Sequence, residues 1–196
     1  MSLTKKRGRG MAAAWYGIAR TAAMDQAGAW AEIDDGGTAK IVTGVTEIGE
    51  GILTVLAQVA AEELDVMIGE NDTSRSPEAA HAGATRQTYM IGNAVALACR
   101  QAKNKLFTQI AQEWNVDIQT LKAHEGEIWS EGTNYRIPMS EAIKICKKKY
   151  GVVPVGGENY TSHHTGLHPK DGSGKPWQAY VFGGQVAEVE VDTATG

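Results

Sequence analysis

No stretch of the 196 residues approaches the roughly 18 uninterrupted apolar residues of a membrane span, so a transmembrane helix is excluded. The basic opening is followed by an apolar run (residues 11–16) too short and interrupted for a secretory h-region, and a cytoplasmic setting is the expectation. Cysteine is scarce. Cys99 and Cys146 lie far apart and outside any CxxC spacing, which excludes a disulfide scaffold, a zinc ribbon or a cysteine-ligated iron–sulfur site within the chain. Positive charge is not in excess either: 19 Lys and Arg against 23 Asp and Glu leave a net charge of −4, and the basic runs at 5–9 and 147–149 are isolated. Nucleic-acid binding therefore has no electrostatic footprint. Aromatics are only 7%, and Trp15, Trp30, Trp114, Trp129 and Trp177 are too scattered to form a stacking platform; they read as core or interface anchors. What is in excess is glycine, 23 residues or about 12% against a usual ~7%. That surplus points to tight turns or backbone-lined loops. With 42% hydrophobic residues the chain can bury a core, and its length suggests one domain.

Periodicity supplies the elements. Residues 28–34 and 38–44 read as strands joined by the turn Asp34-Asp35-Gly36-Gly37. Residues 50–64 read as a helix with Ile52, Val55, Leu56, Val59 and Ala60 on one stripe, followed by a short strand at 66–70 and a polar loop at 71–81. Ile91, Val95, Ala98, Ala102, Leu106, Ile110 and Trp114 recur at steps of three or four, predicting one long helix over 88–113. Residues 127–129 and 135–138 form a hairpin. Ser140 is an N-cap candidate for a helix ending near Tyr150 with Gly151 at C′. Residues 156–176 read as an exposed Gly-, His- and Ser-rich loop, and 180–191 as the last strand. Residues 1–10 are expected to be a disordered basic terminus and 11–196 one folded unit. Interspersed helices and hairpin-linked strands give an α+β class with mostly antiparallel sheet.

Two small-residue turns lead into helices: Thr43-Gly44-Val45-Thr46-Glu47-Ile48-Gly49-Glu50-Gly51 and His81-Ala82-Gly83-Ala84-Thr85-Arg86-Gln87-Thr88. Each would aim backbone N–H groups and a helix dipole at an anionic or hydrogen-bonding ligand. Thr85 and Thr88 add hydroxyls, Arg86 a cation and Gln87 an amide. Taken by themselves, both are better explained as ordinary turns, with Gly for backbone freedom and Thr for capping.

Gly44-x-x-Glu47-x-Gly49-Glu50-Gly51-x-x-Thr54, then Gln58 with Ala60-Ala61-Glu62, Asp72-Thr73, Gly83-Ala84-Thr85-Arg86-Gln87-Thr88 and the closing Ala187-Glu188-Val189-Glu190-Val191-Asp192-x-x-Thr195-Gly196 occur in this order. The ordered set resembles the molybdenum-cofactor-binding subunit of the xanthine dehydrogenase/aldehyde oxidase family, over nearly the whole chain. The resemblance implies a molybdopterin-binding-domain-like fold and a molybdenum–molybdopterin cofactor held by Gly49, Glu50, Gly51, Gly83, Ala84, Thr85 and Arg86. It also implies partner domains or subunits carrying iron–sulfur clusters and FAD, and an N-heterocycle or aldehyde substrate hydroxylated with water-derived oxygen. Two positions depart from the family pattern. Glu50 stands where glutamine is usual, so an acceptor-only carboxylate replaces an amide; Thr85 stands for serine and keeps the hydroxyl. The family's catalytic glutamate lies in a Gly-Glu-Pro-like motif that does not occur here, so no catalytic residue is assigned. The chain reads as 11–196 of a partial domain, inactive alone, with Met1-Ser2-Leu3 a cloning remnant, and the remaining segments of the molybdenum subunit are its expected partners.

Other constellations carry less. His163, His164 and His168 sit among flexible glycines and are expected to be loop histidines; no metal ligand is assigned. Cys99 and Cys146 fall near the apolar faces of the helices predicted around them and are expected to be buried small hydrophobes. Two alternatives stay open: a non-catalytic α+β assembly module, and a small-anion-binding module using the same helix starts.

Overall fold

A computed structural model describes residues 4–64 and 76–196. The expected strand at 66–70 lies outside the described residues, as does the first part (71–75) of the loop after it. The fold is α+β, and every described strand pairing is antiparallel.

The centre is a three-stranded sheet under one long helix. Strands β2 (Gln26–Ile33) and β3 (Ala39–Val42) follow the ribbon strand β1 (Lys5–Gly17) in the chain. They are joined by the expected tight turn, in which Asp34 Oδ1 accepts the Gly36 and Thr38 N–H groups at 2.8 and 3.0 Å. Along β2, Ala27, Ala29, Ala31 and Ile33 are buried while Trp30 and Glu32 face out, the period-two pattern of a half-buried strand. Helix α1 (Ile52–Leu64) and helix α2 (Gly92–Trp114) share the core with this sheet. A π-helical turn, Gln87–Ile91, leads into α2.

Small residues set the spacing of this core. Ala94, Ala98 and Ala102 are fully buried on α2. Beside them runs strand β7 (Val155–Thr161), which pairs with β2. A Cβ on Gly156 would lie 1.9 Å from the Ala98 carbonyl oxygen and 2.8 Å from the Ala102 nitrogen, so β7 touches the α2 backbone directly. This explains a difference from the sequence reading. Residues 156–161, expected to be loop because they hold two glycines, are strand; glycine there is the condition for helix–strand contact.

Strands β4 (Leu121–His124), β5 (Glu127–Ser130) and β6 (Arg136–Pro138) form a second sheet, capped by helix α3 (Met139–Tyr150). Trp114 stacks on Tyr135 at 5.3 Å, anchoring the end of α2 to the hairpin. Gly151 closes α3 with φ 65°, as expected at C′. Ser140 is not the N-cap: α3 starts one residue earlier, and Pro138, with extended backbone and no side-chain cap bond, precedes it. Burial pushes the Cys99 thiol up to about 12 and Cys146 up to about 11, so both behave as apolar side chains.

The third part differs in kind. β1 pairs along its whole length with β8 (Tyr180–Asp192), from Lys5 opposite Asp192 to Gly17 opposite Tyr180. Residues 5–10, expected to be disordered, are thus in register with a strand at the other end of the sequence. Lys5, Arg7 and Arg9 meet Glu190 and Glu188 at 2.7–2.8 Å, which is where the basic run finds its counter-charges. Among the described residues no helix is long and apolar enough to cross a membrane.

Candidate functional site

The turn from β3 into α1 is organised by its own carboxylate. Glu47 Oε1 accepts the N–H groups of Gly49 and Gly51 at 2.8 and 3.0 Å, and Oε2 accepts that of Leu53 at 3.4 Å. The Gly51, Gly49 and Leu53 donors, Gly51 foremost, hold the Glu47 carboxyl below the usual carboxylate range. Gly49 and Gly51 adopt φ of 101° and 77°, with open space where a Cβ would stand. Glycine is needed there for its conformation, not for room. The N–H groups expected to face a ligand at this helix start face Glu47 instead. Next to them, Glu50 Oε2 accepts the Ile48 N–H at 2.9 Å.

The second loop is built on a buried ion pair. Ala84 and Thr85 take left-handed φ of 48° and 57°, a backbone state that side-chain-bearing residues keep only where the surroundings impose it. The Ala84 carbonyl accepts the Ala19 N–H at 3.0 Å, and the Gly83 carbonyl accepts that of Arg86 at 2.9 Å. The Arg86 side chain is fully buried. Its Nε donates to both Asp25 oxygens at 2.9 and 3.0 Å, its Nη1 to the Ala79 carbonyl, and its Nη2 to the Gln26 carbonyl at 2.5 Å. Asp25 also accepts the Arg20 N–H at 3.1 Å. Burial alone would raise the Asp25 carboxyl; the Arg86 guanidinium, with the Arg20 and Gln26 backbone N–H groups, outweighs it and leaves the group below its ordinary value. Arg86, read from sequence as an available cation, therefore sits beneath the loop and fastens it to the start of β2.

Gln87 brings the two loops together. Its Oε1 accepts the Thr46 N–H at 2.9 Å, while its Nε2 donates to the Thr46 carbonyl at 2.9 Å and to Glu50 Oε1 at 2.7 Å. Ile48 and Glu50 from the first loop and residues 82, 83 and 85–88 from the second line one cleft of about 170 Å³. Of the seven residues singled out in the sequence, Glu50, Gly83, Thr85 and Arg86 line it directly, and Gly49, Gly51 and Ala84 adjoin lining residues in the chain. The π-helical turn begins at this point, a local widening of the helix that recurs at functional sites.

Two organising residues were missed in the sequence. Glu47 precedes its donor partners Gly49 and Gly51 by two and four residues, the spacing of a side-chain-closed turn, and could have been found. Asp25 belongs to no motif and lies 61 residues before Arg86, so no local signal marks it.

The cleft can bind by hydrogen bonding: a carboxylate acceptor at Glu50, hydroxyls at Thr85 and Thr88, and a small-residue wall at 82–84. At about 170 Å³ it is smaller than the ~300 Å³ at the low end of complete small-molecule sites. Ring edges with N–H donors suit it; a phosphate does not, because Glu47 and Glu50 put negative charge at the α1 start. Among the described residues no group of three or more His, Cys, Asp or Glu is placed to hold a metal. His168 pairs with Asp171 at 2.9 Å, while His164 approaches Ser162 at 3.4 Å.

Comparison with known proteins bears on the fold and the family. Xanthine dehydrogenase 1 of Arabidopsis thaliana is 31% identical over 198 aligned residues, covering 98% of this chain and 13% of the relative. The structure of quinoline 2-oxidoreductase from Pseudomonas putida 86 superposes with a TM-score of 0.79 at 18% identity, over 98% of this chain and 25% of that one. Aldehyde oxidoreductase from Desulfovibrio gigas gives 0.69 at 26% identity, over 100% of this chain and 19% of that one. The chain thus spans about an eighth of the curated relative and a quarter or less of these two structures. Residues 2–196 match the family described as molybdopterin cofactor-binding domain, and the chain belongs to that family.

Proposed function

We propose that this chain is one segment of a molybdenum hydroxylase of the xanthine dehydrogenase/aldehyde oxidase type, and that its cleft holds one edge of the molybdopterin. The observation that carries the reading is the convergence of the two loops, joined by Gln87 within 2.7 Å of Glu50. Gly49, Glu50 and Gly51 form one wall, and Gly83, Ala84 and Thr85 the other. Arg86 acts from beneath, holding the second wall in its left-handed form. Glu50, being acceptor-only, would suit ring N–H donors of the pterin rather than its phosphate.

When bound, the molybdenum centre would supply oxidative hydroxylation of an N-heterocycle or aldehyde with oxygen from water. This chain's own residues bind and orient; the general acid–base glutamate belongs to another segment. Iron–sulfur clusters and FAD reside on partner domains or subunits of a cytoplasmic complex, which takes electrons from the centre. With a cleft this small, the isolated chain neither retains the cofactor nor turns over.

The assembled complex is expected to carry about one molybdenum and one pterin per chain, read by metal analysis and by fluorescence of the oxidised pterin. Thr88→Trp, which fills the cleft from an exposed position, is expected to lower both at least tenfold without lowering the melting temperature. Undiminished pterin in that variant would overturn the site. Molybdenum held near one equivalent by the isolated polypeptide would overturn the claim that the chain needs its partners.

A further inference from the structure

Away from its Gly17–Tyr180 end, where Trp177 packs on it, the β1–β8 ribbon has no cover on either face among the described residues. Residues opposite each other in the register share a face, and alternate residues change face. Met11, Trp15, Phe182 and Val186 therefore stand on one side, at 83, 67, 80 and 65% exposure. Tyr16, Val189 and Val191 stand on the other, also exposed. A two-stranded ribbon is marginal in water on its own, and contiguous exposed apolar groups of this size mark a contact surface. Most of the ribbon's cations, by contrast, are already matched: Lys5, Arg7 and Arg9 pair with Glu188 and Glu190 within the ribbon. An acidic or basic partner has little to recognise there.

We infer that the β1–β8 ribbon is the chain's docking element, and that its occupant is polypeptide from the rest of the molybdenum subunit, covering both faces. This rests on the function proposed above. Three arguments select the occupant. A second copy meeting this one about a two-fold axis would cover one face of each ribbon and leave the other bare. A lipid surface would do the same, and hydrocarbon does not accept the unpaired backbone groups of open strand edges. Two structures similar to this one are chains of which it covers 25% and 19%, so three quarters or more of such a chain is available to enclose the ribbon.

The test places a photo-crosslinking p-benzoylphenylalanine at Phe182 on one face and, separately, at Val189 on the other, in the full chain produced in its own cells. Crosslinked partners are identified by peptide mass spectrometry. Both positions are expected to capture polypeptide bearing other molybdenum-subunit segments, the same chain in each case. Capture of a second copy of this chain from either position overturns the inference, and so does capture from one face only. No crosslink from either position, in a preparation that still carries pterin, overturns the docking inference and spares the cofactor reading. Capture from both faces of a polypeptide unrelated to the molybdenum hydroxylases overturns the stated occupant, and the cofactor reading with it.

Discussion

The two loops of the cleft look alike in sequence, each a run of small residues entering a helix, yet they are held in opposite ways. The 43–51 turn is closed by an exposed carboxylate of its own, Glu47, through bonds reaching no further than six residues. The 82–88 loop hangs on Arg86, which is fully buried and paired with Asp25 61 residues away. One wall is thus closed locally, with Gln87 as its tie to the other loop, and is the easier of the two to rearrange. The other is part of the domain's frame. A cleft built from one yielding and one fixed wall can receive a large cofactor edge without loss of register.

The largest test of that contrast is Arg86→Ala. It strands the Asp25 carboxylate in the interior and is expected to cost about 3–5 kcal/mol. In a domain of this size that is a fall in melting temperature on the order of 10 °C, measured by calorimetry or urea unfolding. Acid comes next. Because the folded Asp25 carboxyl lies below its unfolded value of roughly 3.9, its contribution is complete above that value and disappears as pH falls through the folded one. Urea midpoints measured from pH 6 downward are expected to decline below about pH 4, and Asp25→Asn, less stable at pH 6, is expected to flatten that decline.

Gln87→Ala is smaller, about 1–2 kcal/mol for the loss of bonds at a nearly buried amide. Its signature is local: faster amide exchange at Thr46, with the Arg86 network unchanged. Glu47→Ala is expected to be the mildest, speeding exchange at Gly49, Gly51 and Leu53 while the melting temperature moves least of the series. If Glu47→Ala were as damaging as Arg86→Ala, the division into a yielding and a fixed wall would be wrong.

Much of the fold was legible because its determinants are local. The turn at Asp34, the stripes of α1 and α2 and the glycine after α3 all act over a few residues. What escaped depends on distant partners. The basic terminus looked solvated because its glutamates lie more than 170 residues away. Gly156 looked like loop because the reason for glycine is the α2 backbone beside it. The site divides along the same line: the ordered motifs marked both loops, and Glu47 had a readable spacing. Asp25 did not, and without Asp25 the fixed role of Arg86 could not be seen.

The long ribbon has a consequence for how the chain reaches its fold. Lys5 and Glu190, which it joins, are 185 residues apart. Bringing such ends together costs about 4–5 kcal/mol of chain entropy if the intervening chain is still loose. The same step costs far less once the α2–β2–β7 core has drawn the flanking segments together. Kinetically, the strand pairing of β1 with β8 follows core formation and contributes little to its rate-limiting step, as expected for contacts of the longest sequence separation. Destabilising the ribbon is then expected to speed unfolding and leave the refolding rate nearly unchanged.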